Sequence, residues 1–358
     1  MRGARALVLG AGGQLGRALM ATAPEGVSAT GVTRHECDIS NPDAVRQCVA
    51  ECDPAWVINA AAYTAVDDAE DVPDTAFAVN ADGPRYLAQA CAASGIRLLH
   101  VSTDFVFDGK TGSPYATDAV AAPLGVYGDS KWRGERAVAA SGANHVIVRT
   151  SWVYAPSGRN FVLTMLRLMR EHKVVRVVND QTGAPTLARG LAEVCWALVQ
   201  HPEARGVFHW SDAGSITWYE FACGIRDEAL ALGLLTAPLS VEPIPTAAFP
   251  TKAKRPAYSA LDASGTVATL GVAQRPWREA LRDMLGSLAE QGGCSSDAVC
   301  DGNRWRGLYR GELCLPLGRG TSQRHTGGTG CAHLRRQSGQ SCASGTGGPY
   351  PICRRRYL

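Results

Sequence analysis

No stretch of the sequence approaches the ~18 consecutive apolar residues that a membrane-spanning helix needs, so a membrane is not an expected partner. Nor is there a strong charge of either sign. The formal net charge is +3 over 358 residues, too little to suggest nucleic acid. A secretory leader is not expected either: the apolar run after Met1-Arg2-Gly3-Ala4-Arg5 stops at Gly10 after Ala6-Leu7-Val8-Leu9, and no cleavage-type segment follows. A cytoplasmic location is the expectation. The length excludes a small disulfide-stapled scaffold, because a chain of this size can bury a large apolar core. With 46% hydrophobic and 19% charged residues, it reads as an ordinary globular protein of about two domains with some chain to spare.

The near-neutral charge averages two unlike pieces. Residues 1–287 are slightly acidic, whereas residues 288–358 hold ten arginines, no lysine and four acids. The same tail has fourteen glycines, six of the twelve cysteines and almost no periodicity. The spacing from Cys294 through Cys300, Cys314, Cys331 and Cys342 to Cys353 contains no C-x-x-C pair, which argues against a zinc site. An unstructured extension or a reading-frame artefact is expected, with a basic tail binding an acidic partner as the alternative. The other six, Cys37, Cys48, Cys52, Cys91, Cys195 and Cys223, read as reduced small hydrophobes.

From Ala4 to about Thr150, short apolar runs alternate with helix-like segments. Strands buried on both faces are expected at Ala4–Leu9, Val27–Thr33, Trp56–Asn59, Arg97–Ser102 and His145–Thr150. Helices are expected near Gln14–Thr22, Pro42–Cys52, Thr75–Ser94 and Val126–Ala140, with Asn41-Pro42 a good helix start. This alternation predicts an α/β fold, a Rossmann-type doubly wound parallel sheet, with a smaller mixed α/β substrate-binding lobe behind it. After Thr150, helices are expected at Asn160–Glu171, Thr186–Gln200, Thr217–Leu232 and Pro276–Leu288, and strands at Val174–Asn179 and Gly206–Trp210. The five prolines Pro238, Pro243, Pro245, Pro250 and Pro256 predict an irregular segment between them. The boundaries read as 1–171 for the dinucleotide domain, 172–287 for the lobe, with some interleaving, and 288–358 for the tail.

Gly10, Gly13 and Gly16 lie between a predicted strand and a predicted helix in the spacing G-x-x-G-x-x-G. Such a loop turns tightly, lets backbone approach a pyrophosphate and offers it the N–H groups of a helix N-terminus. At the end of the second strand an NAD site places an acid to accept the ribose 2′-hydroxyl. Here Thr33-Arg34 suits a 2′-phosphate better, which favours NADPH, although Glu36 is close enough to leave NADH open. Arg34 as a solvated loop residue is the alternative. Ala60-Ala61-Ala62 after the third strand would let backbone approach the cofactor.

Tyr127 and Lys131 form Y-x-x-x-K on a predicted helix, which puts both side chains on one face. A lysine ammonium beside the phenol would stabilise the phenolate and bring its pKa toward the working range, and could also hold the nicotinamide ribose. Thr103 ends the fourth strand, where ligands bind in open parallel sheets. Its hydroxyl could hydrogen-bond a substrate oxygen as hydride arrives.

Together these motifs resemble the extended short-chain dehydrogenase/reductase family, and within it the branch of dTDP-4-dehydrorhamnose reductases. The resemblance covers about residues 3–287. It rests on the glycine loop, Asn59–Asp67, Ser102–Gly109, Pro123–Lys131, Arg149–Tyr154, Asn179–Thr186 and Arg255–Asp262. It implies reduction of the C4 keto group of dTDP-6-deoxy-L-lyxo-4-hexulose to dTDP-L-rhamnose, a precursor of cell-surface polysaccharide. Tyr127 would donate the proton, Lys131 would tune it and Thr103 would orient the carbonyl. Thr103, Asp104 and Trp152 would contact the deoxysugar, with Asn179, Gln181 and Arg255 in or near the nucleotide-sugar pocket. The cofactor would meet Gly10, Ala11, Gln14, Leu15, Asp38, Ile39, Ala62, Tyr63 and Thr64. Some members carry magnesium at an acidic dimer interface. No acidic cluster here matches it residue by residue, so Mg2+ is left without ligands and a homodimer is left open.

Two other readings stand beside this one. An epimerase or dehydratase on a nucleotide sugar would share the motifs, although Thr103 followed by Asp104 and Phe105 lacks the acidic pair usual in a dehydratase. A non-catalytic subunit resembling the beta subunit of methionine adenosyltransferase would share the fold and part of the motifs.

Overall fold

Short, mainly apolar runs become the centre of a parallel sheet. The structure, a computed structural model, describes residues 4–292 except 202 and 238. The expectations for the tail and its cysteines lie outside the described residues. The first half runs β1 (Ala4–Leu9), α1 (Gln14–Ala21), β2 (Val27–Val32), α2 (Pro42–Cys52), β3 (Trp56–Asn59), α3 (Val66–Ala69), α4 (Pro73–Phe77), α5 (Gly83–Ser94), β4 (Arg97–Thr103), α6 (Val126–Ala139) and β5 (His145–Thr150). The second half runs β6 (Val153–Tyr154), α7 (Phe161–Glu171), β7 (Val174–Val178), β8 (Thr182–Gly183), β9 (Thr186–Leu187), α8 (Ala188–Gln200), β10 (Gly206–Trp210), β11 (Ile216–Thr217), α9 (Trp218–Ala231), β12 (Ser240–Ile244), α10 (Ser264–Leu270) and α11 (Trp277–Gly292).

The main sheet has the order β10-β5-β4-β3-β1-β2 with every pairing parallel. The chain therefore leaves β1 toward β2 and returns on the other side of β1 to build β3. That reversal opens a crevice beyond the carboxyl ends of β1 and β3, the place where open α/β sheets bind ligands. One face of the sheet is covered by Leu15 and Leu19 of α1 and by Leu191, Cys195 and Trp196 of α8. The other is covered by Val45 and Val49 of α2, Leu87 and Cys91 of α5 and Val138 of α6. So α8 and β10, from the second half of the chain, belong to the main sheet's layers.

Local chemistry sets the helix starts. Asn41 caps α2 by accepting the N–H groups of Asp43 and Ala44 at 2.9 and 3.2 Å, with Pro42 in the first turn. The single helix expected over Thr75–Ser94 is broken into α4, a π turn at Ala78–Asp82 and α5. Pro84 has no N–H to return to the carbonyl of Asn80, so the ladder widens there.

Two strand expectations need correction. β2 alternates half-buried and exposed side chains and fully buries only Val32, because it is the edge of the sheet. The proline-rich segment is not wholly irregular: β12 pairs in parallel with β7 and carries Pro243 opposite Val177. A two-stranded ribbon consists of edges only, where a missing N–H is tolerated. Around this ribbon the lobe has its own core, built from Val162, Met165 and Leu166 of α7, Phe221 and Ile225 of α9 and Leu281 of α11.

Candidate functional site

The glycine loop is shaped by what it must approach. Gly10 has φ +79°, and a Cβ there would stand 2.7 Å from the backbone of Ala61. Its N–H and that of Ala11 both reach the Val32 carbonyl, at 2.9 and 3.1 Å, which ties the loop to the end of β2. A Cβ on Gly16 would stand 2.1 Å from the Gly10 carbonyl oxygen, so α1 can press against the turn only with glycine there. Gly13 caps α1 without a side chain, and the first turn holds no acid. Unpaired N–H groups and the positive helix end are thus presented at the crevice, a donor set suited to a dinucleotide pyrophosphate. Leu15 turns into the core. The Gln14 side chain instead donates to the Arg159 carbonyl at 3.1 Å and accepts from Asn160 at 2.9 Å.

At the end of β2 two charges stand close together. Arg34 is largely exposed and pairs with Asp38 at 3.2 Å. Asp38 also takes the Ser40 N–H and hydroxyl, and these bonds, led by the hydroxyl, hold its carboxyl below the usual range. Glu36 accepts the N–H and hydroxyl of Thr33 at 2.7 and 2.8 Å, and the same bonds lower its pKa. Ile39 is buried against Gly83, whose missing Cβ would meet it at 2.8 Å.

Opposite the glycine loop, the turn after β3 carries the small side chains of Ala60, Ala61 and Ala62. Asn80, buried in the π turn, exchanges hydrogen bonds with the backbone N–H and carbonyl of Tyr63 at 2.8 and 2.9 Å. The same amide donates to Ser130 Oγ at 3.1 Å, and Ser130 donates to the Tyr127 carbonyl at 2.8 Å. This chain links the turn that ends in Tyr63 and Thr64 to the helix that carries Tyr127. Nothing local in the sequence marks Asn80 for that work.

Thr103, Asp104, Tyr127 and Lys131 come together at the carboxyl end of β4. Thr103 Oγ1 donates to Asp104 Oδ1 at 3.0 Å and accepts the Phe105 N–H. Burial pushes the half-buried Tyr127 phenol up to about 12; a hydrogen bond with the Thr103 hydroxyl pulls it back and the Asp104 charge adds to the rise. The edge of Phe105 packs against the Tyr127 ring, with centroids 5.5 Å apart. Lys131 is buried, its Nζ donating to the Val101 carbonyl at 2.7 Å, and burial pushes its pKa down to about 8. The phenol therefore stands above its ordinary value, and Lys131 is not among the groups that shift it. Burial also raises Asp104, to about 6, against the pull of the Ser259 and Thr103 hydroxyls, and its second carboxyl oxygen makes no close hydrogen bond. Beneath them His100 receives a 3.1 Å contact from Asn59, and burial, with the Lys131 charge, holds its pKa well down.

Trp152 lies two residues past Thr150, the register partner of Thr103. It is one of two non-glycine residues with positive φ among those described, at +45°. Its ring stacks on Trp218 at 3.5 Å, and a Cβ on Gly183 would strike it at 2.6 Å. Trp218 and Phe161 complete an aromatic wall that the helix pattern alone did not mark as more than core. Asn179 and Gln181 do not join the Thr103 group. Asn179 accepts from Thr217 at 2.9 Å and Gln181 donates to Thr246 at 3.0 Å. Arg255 reaches Asp67 at 2.6 Å, with its Nε buried and unpartnered. Among the described residues, no group of three or more His, Cys, Asp or Glu is arranged to hold a metal ion, and no helix is long and apolar enough to cross a membrane.

A family described as the RmlD substrate binding domain matches residues 4–290. The chain belongs to that family. Among its relatives, the dTDP-4-dehydrorhamnose reductase of Aggregatibacter actinomycetemcomitans is 40% identical over 291 residues, covering 78% of this chain and 98% of the relative. The enzyme of the same name from Mycobacterium tuberculosis is 42% identical over 294 residues, covering 80% and 94%. A crystal structure of the Bacillus anthracis dTDP-4-dehydrorhamnose reductase in complex with NADP superposes with a TM-score of 0.74. It is 36% identical, and the match covers 79% of this chain and 98% of that one. The RmlD family match ends within α11, so all the site residues described above lie inside it.

Proposed function

We propose that this chain is an NADPH-dependent oxidoreductase, a dTDP-4-dehydrorhamnose reductase. It reduces the C4 keto group of dTDP-6-deoxy-L-lyxo-4-hexulose and yields dTDP-L-rhamnose for cell-surface polysaccharide. The observation that carries the reading is the meeting of Thr103, Tyr127 and Lys131 at the strand ends beside the glycine cradle, in a chain about 40% identical to reductases of that name over nearly their full length.

The backbone of Gly10–Gly16 and the first turn of α1 would hold the pyrophosphate, Arg34 the 2′-phosphate and Lys131 the nicotinamide ribose. When bound, NADPH supplies the hydride that C4 receives. The protein's own part is the proton. A phenol near 12 remains protonated at neutral pH, so Tyr127 is poised as a donor to the O4 atom that becomes the hydroxyl. Thr103, whose hydroxyl stands near that phenol, would direct the carbonyl toward it. Lys131, which does not shift that phenol, would serve through its hold on the nicotinamide ribose. Asp104 would take a sugar hydroxyl on its free oxygen, and Trp152 would offer its ring to the 6-methyl face. Arg255 belongs near the diphosphate, and Asn179 and Gln181 shape the pocket by stapling Thr217 and Thr246. Homodimerisation and a cytoplasmic location belong to the same reading, while Mg2+ keeps no assigned ligand.

The test is product stoichiometry. The 4-keto nucleotide sugar should be consumed one-for-one with NADPH, with dTDP-L-rhamnose as the product. Interconversion of nucleotide sugars without net NADPH loss would point to an epimerase. Cofactor binding with no conversion at all would point to a non-catalytic subunit.

A further inference from the structure

The helix that carries Tyr127 begins without a cap of its own. Gly125 stands at the capping position of α6 and offers no side chain, although the first N–H groups of a helix need acceptors. The acceptor comes from far away in the chain. Glu70 Oε1 takes the Val126 N–H at 2.8 Å and brings a negative charge to the positive end of the helix. Gly125 makes the approach feasible, since a Cβ there would lie 2.6 Å from the same oxygen. Tyr127 is the next residue.

Glu70 is itself held from both sides. It follows α3 directly, and α3 begins two residues after Thr64 at the cofactor side of the crevice. Asp67, at the start of α3, accepts the Ala253 N–H at 3.0 Å and the Arg255 guanidinium at 2.6 Å. Asp71, just beyond Glu70, pairs with Lys252. The carboxylate that caps α6 is thus anchored between the turn after β3 and the segment that carries Arg255.

We propose that Glu70 is a positioning residue for the reduction. By accepting the Val126 N–H it fixes the first turn of α6 in the register that points the Tyr127 hydroxyl at Thr103. This inference rests on Tyr127 being the proton donor. Glu70 touches neither reactant and acts only through the helix.

Five variants of the full chain test it, assayed for kcat, for KM of NADPH and of the 4-keto sugar, and for thermal midpoint. Glu70→Ala should lower kcat by about 10- to 100-fold, the scale of a small misplacement of a reacting group, with both KM values within about threefold. Glu70→Gln keeps an acceptor oxygen and should restore kcat to within about threefold of the parent. Gly125→Ala should reproduce the loss by pushing Glu70 away. Adding it to Glu70→Ala should cost little more, because both break one contact. A Glu70→Ala enzyme with parental kcat would overturn the inference. So would a fall in kcat, both affinities and thermal midpoint together that Gln does not rescue. Tyr127→Phe separates the two levels: if it is inactive while Glu70→Ala is normal, only the Glu70 role fails, and if it turns over normally, the reading of Tyr127 fails first.

Discussion

Lys131 Nζ donates to the carbonyl of Val101 from a fully buried position, two residues before Thr103 on the same strand. Burial brings its pKa down to about 8, below the ordinary 10.5. The proposed role needs the charged ammonium, so kcat is expected to fall as pH rises through about 8. Stability should move the other way. The folded pKa lies below the unfolded one, so between these two values the unfolded chain binds more protons and this group's contribution to stability rises with pH. Rate and thermal midpoint measured across that window check both signs. A rate that stays level while the fold is intact would remove the Lys131 charge from the reaction.

Asp104 makes the opposite trade. Its carboxyl is raised by burial to about 6 from an ordinary 3.8, so the folded chain binds more protons between these values. Its contribution to stability is therefore greatest at low pH and is lost as pH rises through about 6. At neutral pH the buried charge costs about 1–3 kcal/mol. Asp104→Asn should raise the thermal midpoint at neutral pH by about 2–6 °C and lower turnover at least about tenfold. A lower midpoint in calorimetry would show that the carboxylate is stabilising where it stands.

Arg34 and Glu36 oppose each other at the end of β2. Arg34→Ala should weaken NADPH binding more than NADH binding. Glu36→Gln should do the reverse, because a carboxylate beside Thr33 repels a 2′-phosphate and suits a 2′-hydroxyl. Fluorescence titration with both cofactors reads the ratio. Equal effects on both would mean that neither residue reads the 2′ position.

Most of the sheet was legible because its central strands are short, mainly apolar runs: Ala4–Leu9, Trp56–Asn59 and His145–Thr150 occupy the expected residues. The glycine loop and the Asn41 cap were legible because their chemistry is local. The edge character of β2 was not, since it depends on having a neighbour on one side only. β12 was hidden by prolines that an edge tolerates. Glu70, Asn80 and Asp67 act on residues 56, 17 and 188 positions away, and no local pattern records such partners. Asn179 and Gln181 likewise meet Thr217 and Thr246 from 38 and 65 positions away, contacts that no local pattern records.

The most direct measurement is substrate-dependent NADPH oxidation by the parent protein and by Tyr127→Phe, with dTDP-6-deoxy-L-lyxo-4-hexulose as the acceptor. The parent should oxidise NADPH only when the sugar is present. The variant should lose at least about 100-fold in kcat while binding NADPH nearly as well. No oxidation by a parent that binds the cofactor, or near-parental turnover by Tyr127→Phe, would contradict the proposed reduction through Tyr127.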